Sequence, residues 1–209
     1  LTADPILCAD VHKVFQQITG MGKKIHPKLI IHAPFSMRKS IVKMIKHEKQ
    51  TALEGKPARI IAKLNALTDP AVIKELYEAS SAGVQIDLIV RGVCCLKPKI
   101  PRVSENIRVI SVVGRFLEHS RVYYFLNANH PVYCSSADWM ERSFSNRIEV
   151  CFPVLGKKLA NRIIKELEIH INTKDQSWEL QANGEYKELT FGTKEPDAQN
   201  VLLNQLAQT

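Results

Sequence analysis

A strand–helix–strand pattern is the feature that most limits how this chain can fold. Two apolar runs, residues 59–64 and 84–90, flank a segment that begins with Asp69-Pro70 and ends at Gly83. Aspartate caps the start of a helix, proline fits its first turn, and glycine commonly ends it. A crossover of this length joins parallel strands. The pattern therefore predicts a parallel pair of strands with a helix packed across them.

The rest of the chain alternates in the same way. Apolar periodicity predicts helices at 8–18, 37–53 and about 156–171, and strands at 28–33, 107–112, 121–126, 131–135 and 147–154. This order predicts an α/β fold in which a mixed β-sheet is flanked by helices. We expect residues 1–190 to form the domain and residues 191–209 to be a weakly patterned C-terminal tail.

Composition narrows the class of ligand. The chain has 209 residues, of which 45% are hydrophobic, enough for one sizeable domain or two small ones with a core that needs no disulfide or metal. Its net charge of +8 suits a polyanion such as nucleic acid, an acidic membrane surface or an inorganic polymer. No apolar run reaches 18 residues, so we expect no transmembrane helix.

The cysteines indicate where the protein works. The five of them are scattered, and none forms a C-x-x-C or zinc-binding pattern. This usage is typical of reduced thiols in a cytoplasmic protein. The positive charge leaves open a peripheral association with the inner membrane.

Polar residues follow the predicted parallel strands. Lys63 and Asn65 lie at the end of the first, and Arg91-Gly92 follows the second. Ligands of α/β sheets gather at such carboxyl ends. A guanidinium can donate two parallel hydrogen bonds to phosphate oxygens, and glycine lets the backbone approach a ligand closely. Each group alone is also compatible with a solvated surface, but together with Arg142 and Arg147 they favour phosphate binding.

A histidine and an arginine stand at the head of another predicted strand. Alternate strand residues point to the same side, so His119 and Arg121 are expected to project together. Their H-x-R pattern, with S-S-A-D at 135–138, is similar to the H-x-K and G-S-x-N elements of phospholipase D enzymes. The match departs from that signature in three places, with Arg121 for lysine, Leu126 for aspartate and Asp138 for asparagine. These departures argue against an ordinary phosphodiesterase.

Longer segments resemble the polyphosphate kinase family. They are A-K-L-N-A-L-T-D at 62–69, I-D-L-I-V-R-G-V-C-C-L at 86–96, S-E-N-I-R-V-I-S-V-V-G-R-F-L-E-H-S-R-V-Y-Y-F at 104–125 and Y-C-S-S-A-D-W-M at 133–140. The resemblance runs over about residues 1–172 in the family's order. It implies the second of two phospholipase D-like domains, and hence a C-terminal fragment of a longer enzyme.

The resemblance implies a reaction and a site. Polyphosphate kinases reversibly transfer the terminal phosphate of ATP to inorganic polyphosphate through a phosphohistidine, which lies on the preceding domain. The family's second essential histidine falls on His119, and its nucleotide-phosphate arginine falls on Arg91. Lys63, Asn65 and Arg121 match recurrent positions and are expected to join in binding ATP or polyphosphate.

The resemblance also implies partners. It implies that the enzyme uses Mg²⁺, with ligands that lie outside this chain. It also implies that the full-length enzyme assembles into a homo-oligomer. The alternative is a stand-alone polyanion- or nucleic-acid-binding module with a degenerate phospholipase D-like fold. Aromatic residues make up only 7% of the chain and offer no base-stacking platform, so we do not expect nucleic acid as a partner. Without its nucleophile, the chain alone is expected to be inactive.

Overall fold

The structure, a computed structural model, describes residues 2–20, 25–189 and 196–207. Within these ranges the strands are β1 (Ile31–Ala33), β2 (Arg59–Leu64), β3 (Gln85–Val90), β4 (Ile107–Val112), β5 (Arg121–Phe125), β6 (Val132–Ser135), β7 (Glu149–Pro153), β8 (Ser177–Leu180) and β9 (Tyr186–Glu188). The helices are α1 (Pro5–Ile18), α2 (Met37–Leu53), α3 (Pro70–Ser81), α4 (Glu141–Ser145), α5 (Lys157–Asn172) and α6 (Ala198–Ala207).

The strands form one mixed sheet in the order β1-β7-β6-β5-β2-β3-β4-β8-β9. Its centre is the parallel trio β2, β3 and β4, and the remaining neighbours pair antiparallel. The predicted crossover is confirmed, because β2 and β3 pair in parallel and α3 connects them. The Asp69 carboxylate caps α3 by accepting the N–H of Val72, and Pro70 is the first helical residue.

Helices cover both faces of the central strands. Ile60 lies in the core beneath α2 and α3, whereas its neighbour Ile61 lies in the core beneath α5. Successive strand residues point to opposite faces, so burial on both faces explains why β2 is an almost unbroken apolar run. The predicted fold class, a mixed sheet flanked by helices, is therefore confirmed.

The N-terminal region differs from the prediction. The strand predicted at 28–33 is reduced to β1, because the N–H groups of Leu29 and Ile30 donate to the Asp10 carboxylate at 2.7 and 3.1 Å. These amides are therefore not available to a neighbouring strand. The first helix begins earlier than predicted, at Pro5, because Asp4 caps it.

Four short elements lie outside the prediction: α4, β8, β9 and α6. The hairpin of β8 and β9 extends the sheet beyond β4. Helix α6 lies in the segment predicted as a weakly patterned tail, and its first residues Ala198 and Gln199 are buried. Residues 191–195 and 208–209 of that tail lie outside the described residues. No helix in the described part of the chain is long and apolar enough to cross a bilayer.

Candidate functional site

The sheet topology brings the predicted site residues to one edge. Strands β2 and β3 end there, which places Asn65 and Arg91 directly after them. Strand β5 runs antiparallel to β2, so it begins at the same edge with Arg121. Strand β6 ends beside that residue, and Asp138 follows. Sequence-distant residues thus meet at the carboxyl edge of the parallel strands.

His119 lies on a loop that crosses this edge. The 113–120 loop joins β4 to β5, and β3 and β2 lie between those two strands. The loop must therefore pass over the ends of both, a span of about 14 Å at ~4.8 Å per strand. This path places His119 above the same strand ends as Asn65 and Arg91.

Arg121 and Asp138 form a two-pronged ion pair. Arg121 Nη2 lies 2.9 Å from Asp138 Oδ2, and Nε donates to Oδ1 at 3.2 Å. Oδ1 also accepts the backbone N–H groups of Asn65 at 2.7 Å and Ala66 at 3.2 Å. Burial would raise the pKa of Asp138, but the bonds from Arg121 and these amides lower it below its ordinary value. The carboxylate stays charged and ties β5 to the end of β2.

The same arginine orients His119. Arg121 Nη1 lies 3.1 Å from Nδ1 and 3.3 Å from Nε2 of the imidazole, and it donates to the His119 carbonyl at 3.0 Å. A guanidinium can only donate hydrogen bonds, and its nearly equal distances to the two ring nitrogens place it against the imidazole ring. The His119 side chain is otherwise exposed. The result is an accessible imidazole held by a fixed cation.

The ammonium group of Lys63 is paired with groups of the protein itself. Its ammonium group is buried and lies 2.7 Å from Glu118 Oε2 and 2.5 Å from Ser120 Oγ. The other Glu118 oxygen is 3.4 Å from His170 Nε2. His170, and then Lys63, lower the pKa of Glu118 well below its ordinary range, although burial acts to raise it. The charge of Lys63 is therefore balanced by Glu118.

Arg91 and Asn65 retain unused polar groups. The half-buried Arg91 is fixed through its backbone, because its N–H donates to Leu64 and its carbonyl accepts from Ser111. Its guanidinium has no hydrogen-bond or ion-pair partner among the described residues. The buried side-chain amide of Asn65 likewise has none there. Gly92 lies close beside them, since a Cβ there would be 3.0 Å from the Asn65 carbonyl oxygen, closer than an ordinary contact.

The other predicted cations lie farther along the same edge. Arg142 is in α4 and Arg147 precedes β7, and both are exposed. Strand β7 is four positions from β3 in the sheet, about 19 Å at ~4.8 Å per strand. They can extend a phosphate-binding surface but do not complete the site at His119.

Some residues of the site carry no sequence signal. Glu118 adjoins His119 and could have been suspected, but His170 and Gln199 come from α5 and α6, far away in the chain. Metal ligands are also not grouped: the described ranges hold no cluster of three or more histidine, cysteine, aspartate or glutamate side chains able to bind an ion. These residues alone do not fit a metal centre.

Comparison with known proteins identifies the family. Residues 29–200 match the family model described as polyphosphate kinase C-terminal domain 2. A polyphosphate kinase from Pseudomonas aeruginosa is 55% identical over 210 residues, which cover 99% of this chain and 30% of the relative. The crystal structure of polyphosphate kinase from Porphyromonas gingivalis superposes with a TM-score of 0.93 at 36% identity, covering 99% of this chain and 32% of that one.

A more distant structure shows the fold alone. Nuc from Salmonella typhimurium, a phospholipase D family member, superposes with a TM-score of 0.50 at 14% identity, covering 73% of this chain and 97% of that one. The present chain spans about 30% of the length of the curated relatives it matches. By its domain match, its sequence identity and its structure, the chain belongs to the polyphosphate kinase family.

Proposed function

We propose that this chain forms one side of the catalytic site of a polyphosphate kinase, which reversibly transfers the terminal phosphate of ATP to inorganic polyphosphate. The observation that carries the proposal is the exposed imidazole of His119, oriented by Arg121 above strand ends where Arg91 and Asn65 keep unused polar groups. Matches to proteins named polyphosphate kinase support it.

The proposed chemistry needs a nucleophile from outside this chain. A histidine of the preceding region would attack the γ-phosphorus of ATP, forming a nitrogen–phosphorus bond as the bond to the bridging oxygen breaks and ADP leaves. The terminal oxygen of a polyphosphate chain would then take the phosphoryl group and free the histidine. Such transfers demand positioning and charge stabilisation above all.

The residues of this chain would provide that stabilisation. His119 would donate a proton or a hydrogen bond to the transferred phosphoryl group, and Arg91 would hold the nucleotide phosphates. Asn65, whose side-chain amide is buried, would act from beneath this surface by donating its backbone N–H to Asp138. Lys63 and Arg121, whose charges are balanced within the protein, would act by placing His119. Mg²⁺, which the family resemblance implies, would be held by residues outside this chain, so no role in binding it is given to the residues described here.

Labelled ATP tests this proposal. We expect the full-length protein, incubated with ATP labelled in its γ-phosphate, to form polyphosphate and an acid-labile phosphoprotein. The 209-residue chain should show neither turnover nor label. Acid-labile label on this chain would place the nucleophile within it and contradict the division of roles. A full-length protein that makes no polyphosphate from ATP would contradict the function itself.

A stand-alone polyanion-binding module is the less favoured alternative, because the matches of the chain are to polyphosphate kinases along almost its whole length. Homo-oligomeric assembly, a cytoplasmic location and peripheral membrane association stay predictions from the sequence.

A further inference from the structure

The 113–120 loop has little apolar packing to hold it. Phe116 is 46% exposed and Leu117 is 75% exposed, and His119 itself faces solvent. A loop with few buried apolar contacts opens easily unless polar groups fix it. A histidine on a loose loop would be a poor catalyst, because misplacement by about 1 Å can cost roughly 10²-fold in rate.

Gln199, from the first turn of α6, fixes the middle of this loop. Its Oε1 accepts the N–H of Phe116 at 2.8 Å, and its Nε2 donates to the Phe116 carbonyl at 2.8 Å. Nε2 also donates to Glu118 Oε1 at 3.0 Å. The side chain is itself buried, and Asp197 caps the turn that carries it by accepting the N–H of Asn200.

The start of the loop is shaped to receive this side chain. A Cβ on Gly114 would lie 2.6 Å from Oε1 and 2.9 Å from Cδ of Gln199. Real Cβ contacts are not this short, so any larger residue at position 114 must displace the carboxamide. The carboxamide cannot move without losing its bonds to Phe116. Glycine is therefore needed here for close approach.

The bonds of Gln199 reach Glu118, the residue that precedes His119 in the chain. Glu118, which it contacts, is also held by Lys63 and lies near His170. Lys63 contacts Ser120 as well, so both neighbours of His119 in the chain are anchored. These contacts join the loop to β2, α5 and α6.

We propose that Gln199 is a positioning residue for His119, and that α6 acts as a clamp on the 113–120 loop rather than as a loose tail. This inference rests on the proposed catalytic role of His119. It assigns to the C-terminal helix a part in turnover although none of its described residues needs to touch the substrate.

Hydrogen–deuterium exchange and steady-state kinetics, both measured on the full-length protein, test the proposal. Gln199→Met keeps the length of the side chain but removes its hydrogen bonds. We expect faster hydrogen–deuterium exchange in the 113–120 loop, a fall in kcat of about 10-fold and a KM for ATP within about twofold. Asn204→Ala, at an exposed position of the same helix, should change none of these. Unchanged loop exchange in Gln199→Met overturns the proposal, and so does faster exchange with unchanged kcat.

A double-variant cycle provides a second readout. Gly114→Ala alone should lower kcat, because its Cβ displaces the carboxamide. In a Gln199→Ala background the same change should cost clearly less, because the displaced atoms are gone. Additive effects would contradict a shared mechanism.

His119→Gln, measured in parallel, separates this inference from the proposed function. If that variant keeps normal turnover, the catalytic role proposed for His119 fails and the positioning role falls with it, whereas the function itself fails only if the unaltered protein makes no polyphosphate. If it loses turnover while Gln199→Met does not, only the positioning role fails.

Discussion

At the scale of single residues, the ion pair of Arg121 and Asp138 shows how the site divides its charges. The two side chains are only 13% and 11% exposed, and each is satisfied by the other. Breaking such a pair leaves an unpaired charge in a poorly solvated place, which costs far more than losing a surface pair. The pair is therefore a rigid support for His119 rather than a free phosphate receptor.

Asp138→Asn tests this reading of the pair. We expect it to lower the free energy of unfolding of the 209-residue chain by about 3 kcal/mol, measured by urea denaturation. Arg162→Ala removes an exposed pair with Glu166 and should cost no more than about 0.5 kcal/mol. Equal losses in the two variants would show that the Asp138 pair is worth no more than a surface contact.

His119 itself calls for turnover and stability to be measured together. In the full-length protein, His119→Gln keeps a hydrogen-bond donor but cannot transfer a proton. We expect turnover to fall by about 10²-fold or more. The melting temperature should hardly change, because an exposed side chain contributes little packing. Loss of many degrees of melting temperature along with activity would instead indicate a structural histidine.

At the scale of elements, local signals decided which parts could be predicted. The Asp69-Pro70 cap and Gly83 marked both ends of α3, and unbroken apolar runs marked β2 and β3. The start of α1 carries the same Asp-Pro signal at Asp4, so this boundary too is encoded locally in the sequence. Helix α6 and the β8–β9 hairpin are short and weakly periodic, so nothing local distinguished them from loops.

The site was predicted only as far as its residues follow predicted strands. His119, Arg121, Asn65 and Arg91 stand at strand ends, so topology alone brings them together. Gln199 meets Phe116 across 83 residues of chain, and no spacing pattern encodes such a contact. Only the fold brings these two residues together.

Asp10 joins α1 to the segment before β1, and this link predicts that the stability of the folded chain depends on pH. Burial acts to raise the pKa of the Asp10 carboxyl. Hydrogen bonds from backbone amides, of which that of Leu29 is the strongest, and from Lys13 outweigh it, and they lower this pKa from its ordinary 3.8 to about 2. A depressed pKa stabilises the folded state above the unfolded value and loses that effect as pH falls through the folded one. The contribution is therefore full above about pH 4 and fades towards pH 2.

Asp10→Asn, which does not titrate, is the variant for this test. We expect the difference in unfolding free energy between the parent chain and Asp10→Asn to be largest at neutral pH and to narrow below about pH 4. Denaturant titrations at several pH values measure it. A difference that stays constant down to pH 2 would show that Asp10 has an ordinary pKa.

At the scale of the whole molecule, the net charge of +8 overstates the positive charge available at the site. Lys63 and Arg121 are the cations that flank the 113–120 loop at its base, and both are neutralised by carboxylates. Arg91 keeps a free guanidinium there. Binding of a polyanion should therefore depend on Arg91 more than on Lys63 or Arg121.

Salt dependence measures this contribution. Polyphosphate affinity of the 209-residue chain should fall as salt rises, because bound counterions are released on binding. Arg91→Gln should weaken binding and reduce the slope of log affinity against log salt by about one. Lys158→Gln removes an equal charge from the exposed start of α5, at the opposite edge of the sheet, and should do neither. Equal effects of the two variants would indicate that only overall charge matters.

The ion pair of Arg121 and Asp138 also limits which residues relatives can carry at these two positions. Two of the three departures from the phospholipase D signature fall at these positions, where lysine and asparagine are replaced by arginine and aspartate. Lysine and arginine carry the same charge, so the aspartate at position 138 is the replacement that changes the charge of this place, and the cation at position 121 neutralises it. A carboxylate at position 138 without that cation would be an unpaired charge in a partly buried place. Among relatives, an aspartate at position 138 should therefore occur only where position 121 holds a cation.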